Sequence, residues 1–78
     1  MITRIPQIGE VRLKIHRTTR TNGGIRIPAV CEDGAIIAII ADKLVCPDDM
    51  HMDYGYIHIT AYTIRGITTQ CGIYCTIA

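Results

Sequence analysis

Two stretches near the amino terminus alternate between apolar and polar side chains. In residues 8–18 every second side chain from Val11 to Ile15 is apolar, and residues 25–31 alternate in the same way. Because successive side chains of a strand point to opposite faces, each stretch is predicted to be a half-buried β-strand. The Thr21-Asn22-Gly23-Gly24 segment between them is rich in residues that tolerate positive φ, which predicts a tight reversal. We therefore expect an amino-terminal β-hairpin.

The middle of the chain contains one ambiguous segment. Pro28 cannot donate a ladder hydrogen bond, so its strand is expected at a sheet edge or with a bulge. Glu32-Asp33-Gly34 predicts a second tight turn. The apolar run that follows, residues 35–45, fits either a strand buried on both faces or a helix with a stripe of Ile and Leu. Its four isoleucines favour the strand, and the helix remains the alternative.

The carboxyl-terminal third repeats the strand pattern. Ile57, Ile59 and Ala61 are predicted to form a buried row, with His58, Thr60 and Tyr62 on the other face. Gly66 offers a turn before a final strand. On that strand one face is predicted to carry Cys71, Ile73, Cys75 and Ile77.

The composition agrees with a β-rich fold. The chain has 78 residues, among them 16 Ile, 9 Thr, 4 Tyr and 3 Val, and it has no Phe or Trp. β-Branched and aromatic side chains pack well on a pleated sheet and lose rotamer freedom in a helix. We predict one domain over residues 1–78, all-β or β-dominated, with about five antiparallel strands in a small barrel or a single sheet. An α+β variant would carry one helix at 35–45.

The chain offers no segment that would direct it into or across a membrane. Its longest apolar run, residues 35–41, is about a third of the ~20 residues that a spanning helix requires. Residues 1–6 lack the apolar stretch of a secretion signal. We therefore expect a cytoplasmic protein whose four cysteines are reduced thiols.

Metal binding and catalysis receive little support from the spacing of reactive residues. A zinc site would draw on four cysteines and three histidines: Cys31, Cys46, Cys71, Cys75, His16, His51 and His58. No Cys-x2-Cys pair exists, and two cysteines four apart on one strand lie roughly 13 Å apart, too far to share a metal or a disulfide. The chain has no Ser and no phosphate-binding glycine motif, and Cys46 with His51 is the one nucleophile–base pair to consider. We expect no enzyme, no metal and no cofactor, with a Cys/His zinc protein as a less favoured alternative.

The charges are distributed unevenly along the chain. Residues 1–30 carry a net charge of +5 and residues 31–78 carry −4, for a total of +1. The candidate binding residues are the cations Arg12, Lys14, Arg17, Arg20 and Arg26, with Tyr54 and Tyr56 available for stacking. A secondary acidic surface is formed by Asp48, Asp49 and Asp53. Most of the cations are Arg, whose planar guanidinium suits bidentate contacts with carboxylate or phosphate.

These observations favour a small non-enzymatic binding module, an accessory or inhibitor protein. Its basic hairpin would dock on an acidic surface of a larger protein or nucleoprotein assembly. Direct binding of nucleic acid by the same cations is the alternative, and an ordinary solvated face, balanced by the acidic half of the chain, would carry no function. Exposed strand edges also predict a homodimer formed by β-pairing.

Overall fold

A computed structural model describes residues 2–15, 18–22, 24–45 and 55–77 of the chain. Strands account for 80% of these residues, which contain no α-helix. In chain order they are β1 (Ile2–Ile5), β2 (Gly9–Leu13), β3 (Thr19–Thr21), β4 (Gly24–Cys31), β5 (Ile36–Val45), β6 (Gly55–Ile64) and β7 (Ile67–Ile77). Within the described ranges no helix is long and apolar enough to cross a membrane.

The strands close into a small antiparallel barrel. The sheet order is β2-β1-β7-β6-β5-β4-β3, and an additional pairing of β2 with β4 joins the two ends of a six-stranded ring. Strand β3 extends the sheet beyond the ring, on β4. This confirms the β-dominated fold in its barrel form. The strand interpretation of residues 35–45 is correct, and the helix is wrong, because β5 runs through the segment.

The number of strands differs from the expected five for two reasons. The alternation of side chains did not predict β1, a four-residue strand. It pairs with β2 from Ile2 opposite Arg12 to Ile5 opposite Gly9. The expected strand over 8–18 is shorter than predicted, because β2 ends at Leu13, and β3 is a further strand that begins at Thr19.

Pro28 of β4 explains why β2 ends at Leu13 and a separate strand, β3, follows. The Pro28 carbonyl accepts a 3.0 Å hydrogen bond from the Lys14 N–H. The nitrogen and the carbonyl of one strand residue point to the same side, so the Pro28 nitrogen also faces the side where β2 ends and β3 begins. The ladder cannot continue there because proline has no N–H to donate. On its other side Pro28 pairs with Ala38 without needing a donor. The expectation of a sheet edge or a bulge is thus corrected: Pro28 lies in an interior strand, opposite a break in its neighbour.

The predicted turns occur where the strands reverse. Thr21 and Gly24 pair across the first reversal. Asp33 supports the turn between β4 and β5 by accepting a 3.0 Å hydrogen bond from the Ala35 N–H. Arg65 and Gly66 both have positive φ, 52° and 82°, as a two-residue turn between β6 and β7 requires.

The barrel interior is filled mainly by isoleucine. The predicted inward positions of β2 and β4 are confirmed, since Val11, Leu13 and Ile15 are buried, as are Ile27 and Ala29. The full core cluster consists of Ile5, Val11, Leu13, Ile15, Ile27, Ala29, Cys31, Ile37, Ile39, Ala41, Ile57, Ile59, Cys75 and Ile77.

Two expectations about alternation are corrected by the structure. A register irregularity between Ile59 and Ala61 changes the inward face of β6, so that Tyr62 packs against the core, although it was expected on the opposite face. Strand β5 was expected to be buried on both faces. Its outer face is open instead, and the Ile36 side chain is 79% exposed.

The first prediction compares two glycines with positive φ. A Cβ on Gly24 (φ 124°) would lie 2.6 Å from the Ala41 carbonyl oxygen, whereas a Cβ on Gly34 (φ 87°) would meet nothing within 4 Å. Both Gly→Ala variants incur the cost of positive φ, and only Gly24→Ala adds a collision with backbone. Gly24→Ala should lower the free energy of unfolding by roughly 2 kcal/mol more than Gly34→Ala, measured by urea denaturation. Equal losses would contradict the close approach of β4 and β5.

The second prediction concerns the junction of β1 with β7. Thr3 is buried, and its hydroxyl donates a 2.9 Å hydrogen bond to the Thr76 carbonyl. Thr3→Val keeps the shape and removes this bond, so it should lower the free energy of unfolding by about 1 kcal/mol. Thr76→Val is the matched control, because it alters an exposed side chain and leaves that carbonyl in place. A loss for the control as large as that for Thr3→Val would count against the proposed role of the bond.

Candidate binding groove

An apolar groove lies on the outer face of the barrel beside the amino-terminal hairpin. Its volume is about 600 Å³. Its apolar outer-face residues come from β4 and β5 and are Pro28, Val30, Ile36 and Ala38. A groove of this size and character fits within the range of protein sites that bind small molecules or short peptide segments.

Local sequence explains why this outer surface is apolar. In β4 the positions between the inward Ile27, Ala29 and Cys31 are Pro28 and Val30, not charged residues. In β5 the corresponding outward positions also carry Ile or Ala up to Ile40. Two neighbouring strands therefore present apolar side chains on both faces, and only the inner face is covered by the core.

Cations and hydroxyls border the groove. Lys14, at the end of β2, and Arg26, on β4, both line it, together with Thr19 and Thr21 of β3. Arg12 lies in the next row of the same outer surface, because it pairs with Val30 of β4. The structure thus brings Arg12, Lys14 and Arg26 to one face around apolar side chains.

In the part of the chain that the structure describes, no carboxylate of the acidic half pairs with these cations. Among the described residues, Asp33 lies 3.8 Å from Arg65, and Asp42 lies 2.6 Å from His58. Arg4, on the neighbouring β1, pairs with Glu10 at 3.3 Å. Within the described ranges Arg12, Lys14 and Arg26 form no ion pair, so their charge is available to an incoming group.

Arg20 lies on the opposite face of the hairpin. It pairs with Ile25, which alternates with Arg26 along β4, so Arg20 and Arg26 point to different sides. Arg20 lines a separate depression of about 380 Å³ with Asp42 and Lys43 of β5. The predicted set of cations is therefore divided between two surfaces.

The predicted aromatic contribution does not join the groove. Tyr56 is 41% exposed on β6 and pairs with Val45, at the end of β5 opposite to the groove residues Ile36 and Ala38. Five other predicted positions lie outside the described residues: Arg17, Tyr54, Asp48, Asp49 and Asp53.

The apolar part of the groove, on β4 and β5, was not predicted from the sequence. The signal was present in residues 35–45, where apolar side chains occupy both faces of the strand. Burial on both faces was the natural interpretation, because long apolar strands are typical of covered sheets. What the sequence does not reveal is that nothing in the described chain covers the outer face.

A second polar cluster lies on the wall formed by β5, β6 and β7. His58 Nδ1 is 2.6 Å from Asp42 Oδ1, and the His58 ring stacks on Tyr74 with centroids 4.2 Å apart and planes 21° apart. A carboxylate at Nδ1 fixes the orientation of the imidazole and favours the tautomer that donates from that atom. Within the described ranges no group of three or more His, Cys, Asp or Glu could hold a metal ion.

The described cysteines are free thiols whose pKa values are raised. Burial raises the pKa of Cys31, Cys71 and Cys75 above 9.0, and the nearby Asp33 adds to the effect at Cys31. The neutral thiol is the weaker nucleophile, so these side chains are unsuited to nucleophilic chemistry at neutral pH. Cys71 and Cys75 share β7, as predicted.

The third prediction follows from these thiols. At neutral pH iodoacetamide should leave Cys31 and Cys75 unmodified in the folded protein and alkylate them in urea, as read by peptide mass spectrometry. Because the folded pKa exceeds the unfolded one, the stabilising contribution of the neutral thiols should be complete below pH 9 and decline as the pH rises beyond it. A Cys46→Ala background confines the readout to the described cysteines. Equal alkylation rates in the folded and unfolded states would contradict the burial.

Comparison with known proteins adds no family to this description. No protein-family model matches the chain, and no curated protein or solved structure matches it. Function is therefore inferred from the groove and the charges around it.

Proposed function

We propose that this protein is a non-enzymatic binding module that receives a segment of a partner protein in the groove on β4 and β5. The observation that carries the proposal is the combination of an apolar groove with cations that have no carboxylate partner among the described residues. A merely solvated face would not need apolar side chains between its charges. Accessory and inhibitor proteins that act by docking require only such a surface. The free thiols of the described cysteines are consistent with action in the cytoplasm.

The groove indicates the chemistry of the occupant. Apolar side chains of the partner would contact Val30, Ile36 and Ala38, and acidic side chains would reach Lys14 and Arg26. Charge complementarity of this kind raises association rates and selects the partner, while the apolar contacts supply most of the affinity. We therefore propose a short apolar segment flanked by Asp or Glu.

Nucleic acid is the second candidate, and the unpaired cations favour it. Arg12, Lys14 and Arg26 lie on one face and are able to contact neighbouring phosphates. Two features weigh against it. Phosphates gain nothing from an apolar surface, and Tyr56 pairs with Val45 at the end of β5 away from the groove, so it does not lie beside these cations.

The fourth prediction separates these candidates by selection from a random peptide display library. Peptides retained by the protein should share apolar residues flanked by Asp or Glu. Lys14→Glu/Arg26→Glu should weaken the selected peptide about tenfold or more, because it places like charges at the edge of the groove. The dissociation constant of a synthetic peptide, measured by fluorescence anisotropy, provides the readout.

Arg20→Glu is the matched control for this experiment. It makes the same type of charge change on the same hairpin, but on the opposite face. Peptide affinity should stay within about twofold of the wild type. Selection of peptides without acidic residues, or an equal loss with Arg20→Glu, would exclude the groove as the peptide site. Tight binding of a single-stranded oligonucleotide, with log affinity falling linearly with log salt, would favour the second candidate.

A further inference from the structure

Strand β7 has one edge on which a described strand pairs only at the carboxyl-terminal end. On one side it pairs with β6 along its whole length, from Ile67 opposite Ile64 to Ile77 opposite Gly55. On the other side Thr3 of β1 pairs with Ile77 and with no other residue of β7 among those described. The backbone of residues 67–76 therefore presents a row of ladder positions without a strand partner.

The short length of β1 accounts for this open edge. Pro6 follows Ile5, and the chain then turns back, with the Ile8 N–H donating a 2.9 Å hydrogen bond to the Ile5 carbonyl. β1 therefore ends after four residues, whereas β7 continues for eleven. Since β1 runs antiparallel to β7 and starts at its last residues, most of the β7 edge extends past the end of β1.

This edge has few of the features that usually prevent strands from associating, namely one register irregularity between Gln70 and Ile73. Natural edge strands carry Lys, proline or bulges, or are very short. The sequence of β7, ITTQCGIYCTI, contains no charged residue and no proline. Near its two ends the Ile67 and Tyr74 side chains are 71% and 72% exposed.

The edge of β3, at the other end of the sheet, is protected by comparison. β3 has only three residues, and the central one is Arg20. Two copies of β3 placed side by side would bring arginines together, which disfavours the pairing. Of the two edges, β7 is the one suited to pair with a strand that is itself uncharged.

We propose that the β7 edges of two copies of this chain pair antiparallel across a twofold axis, forming a homodimer with one continuous sheet. A twofold axis places the same strand on both sides of the interface, so an uncharged β7 meets an uncharged β7 without repulsion. The partner segment proposed for the groove carries acidic side chains, and β7 has no cation to pair with them. The dimer leaves the groove free, because β6 separates β5 from β7 on one side of the ring, and β2 and β1 separate β4 from β7 on the other.

Charge substitutions on the open edge test this interface. Thr69→Lys/Gln70→Lys changes two exposed side chains near the middle of the edge, and Thr69→Glu/Gln70→Glu is its counterpart. Sedimentation equilibrium should give twice the 8.6 kDa chain mass for the wild type. For each variant alone the dimer dissociation constant should rise roughly tenfold or more, because the twofold axis brings its own charges together. An equimolar mixture of the two variants should restore the dimer as a heterodimer.

The mixture distinguishes edge pairing from misfolding, because misfolded variants would not recover on mixing. Ile36→Lys serves as the control, since it places a charge on an equally exposed apolar side chain of β5, an interior strand, and should leave the dimer unchanged. A wild type that stays monomeric up to the millimolar range overturns the proposal. So do edge variants that remain dimeric alone, or a dimer broken by Ile36→Lys. None of these readouts involves a ligand of the groove, so the dimer and the proposed function stand or fall separately.

Discussion

The missing N–H of Pro28 determines the arrangement of the first half of this barrel. Strand β4 pairs with β5 on one side without interruption, but on the other side its partner changes at Pro28 from β3 to β2. Strand β2 ends there, at Leu13, and β3 begins at Thr19; Lys14 and Thr19 both line the groove. Because this one N–H is absent, β4 pairs with β3 before Pro28 and with β2 after it. The groove lies where the partner strand changes.

The narrow interior of a six-stranded ring accounts for the composition of the chain. Closing so few strands leaves a narrow interior, and isoleucines fill most of it, together with the smaller Ala29 and Ala41. Tyr62 packs against the core only in part, after a bulge has changed the inward face of β6. The absence of Phe and Trp agrees with this geometry, because a larger ring would overpack such a core.

The fold was predictable from local patterns, and the site was predictable only in part. Alternation around Val11, the turn at Asp33 and the isoleucines of 35–45 each predicted the observed element. The missed strand β1 is too short to show periodicity, and it is stabilised by long-range pairing with β2. Likewise, alternation within one strand cannot show that Arg20 and Arg26 face opposite sides, because this depends on how β3 pairs with β4. Whether the outer face of β5 is covered depends on every other strand, which no local pattern records.

The ring is closed unequally, and this has a consequence for its dynamics. Between β5 and β6, and between β6 and β7, strands pair over most of their length, whereas one residue pair and the buried Thr3 hydroxyl join β1 to β7. Local opening follows the path that breaks the fewest interactions. The amides of β1 should therefore exchange with solvent hydrogen through a small, frequent opening of this joint, and those in the middle of β6 only when the whole barrel unfolds. In each such opening the ring becomes a curved sheet with β1 and β7 at its ends and the groove strands β4 and β5 at its middle.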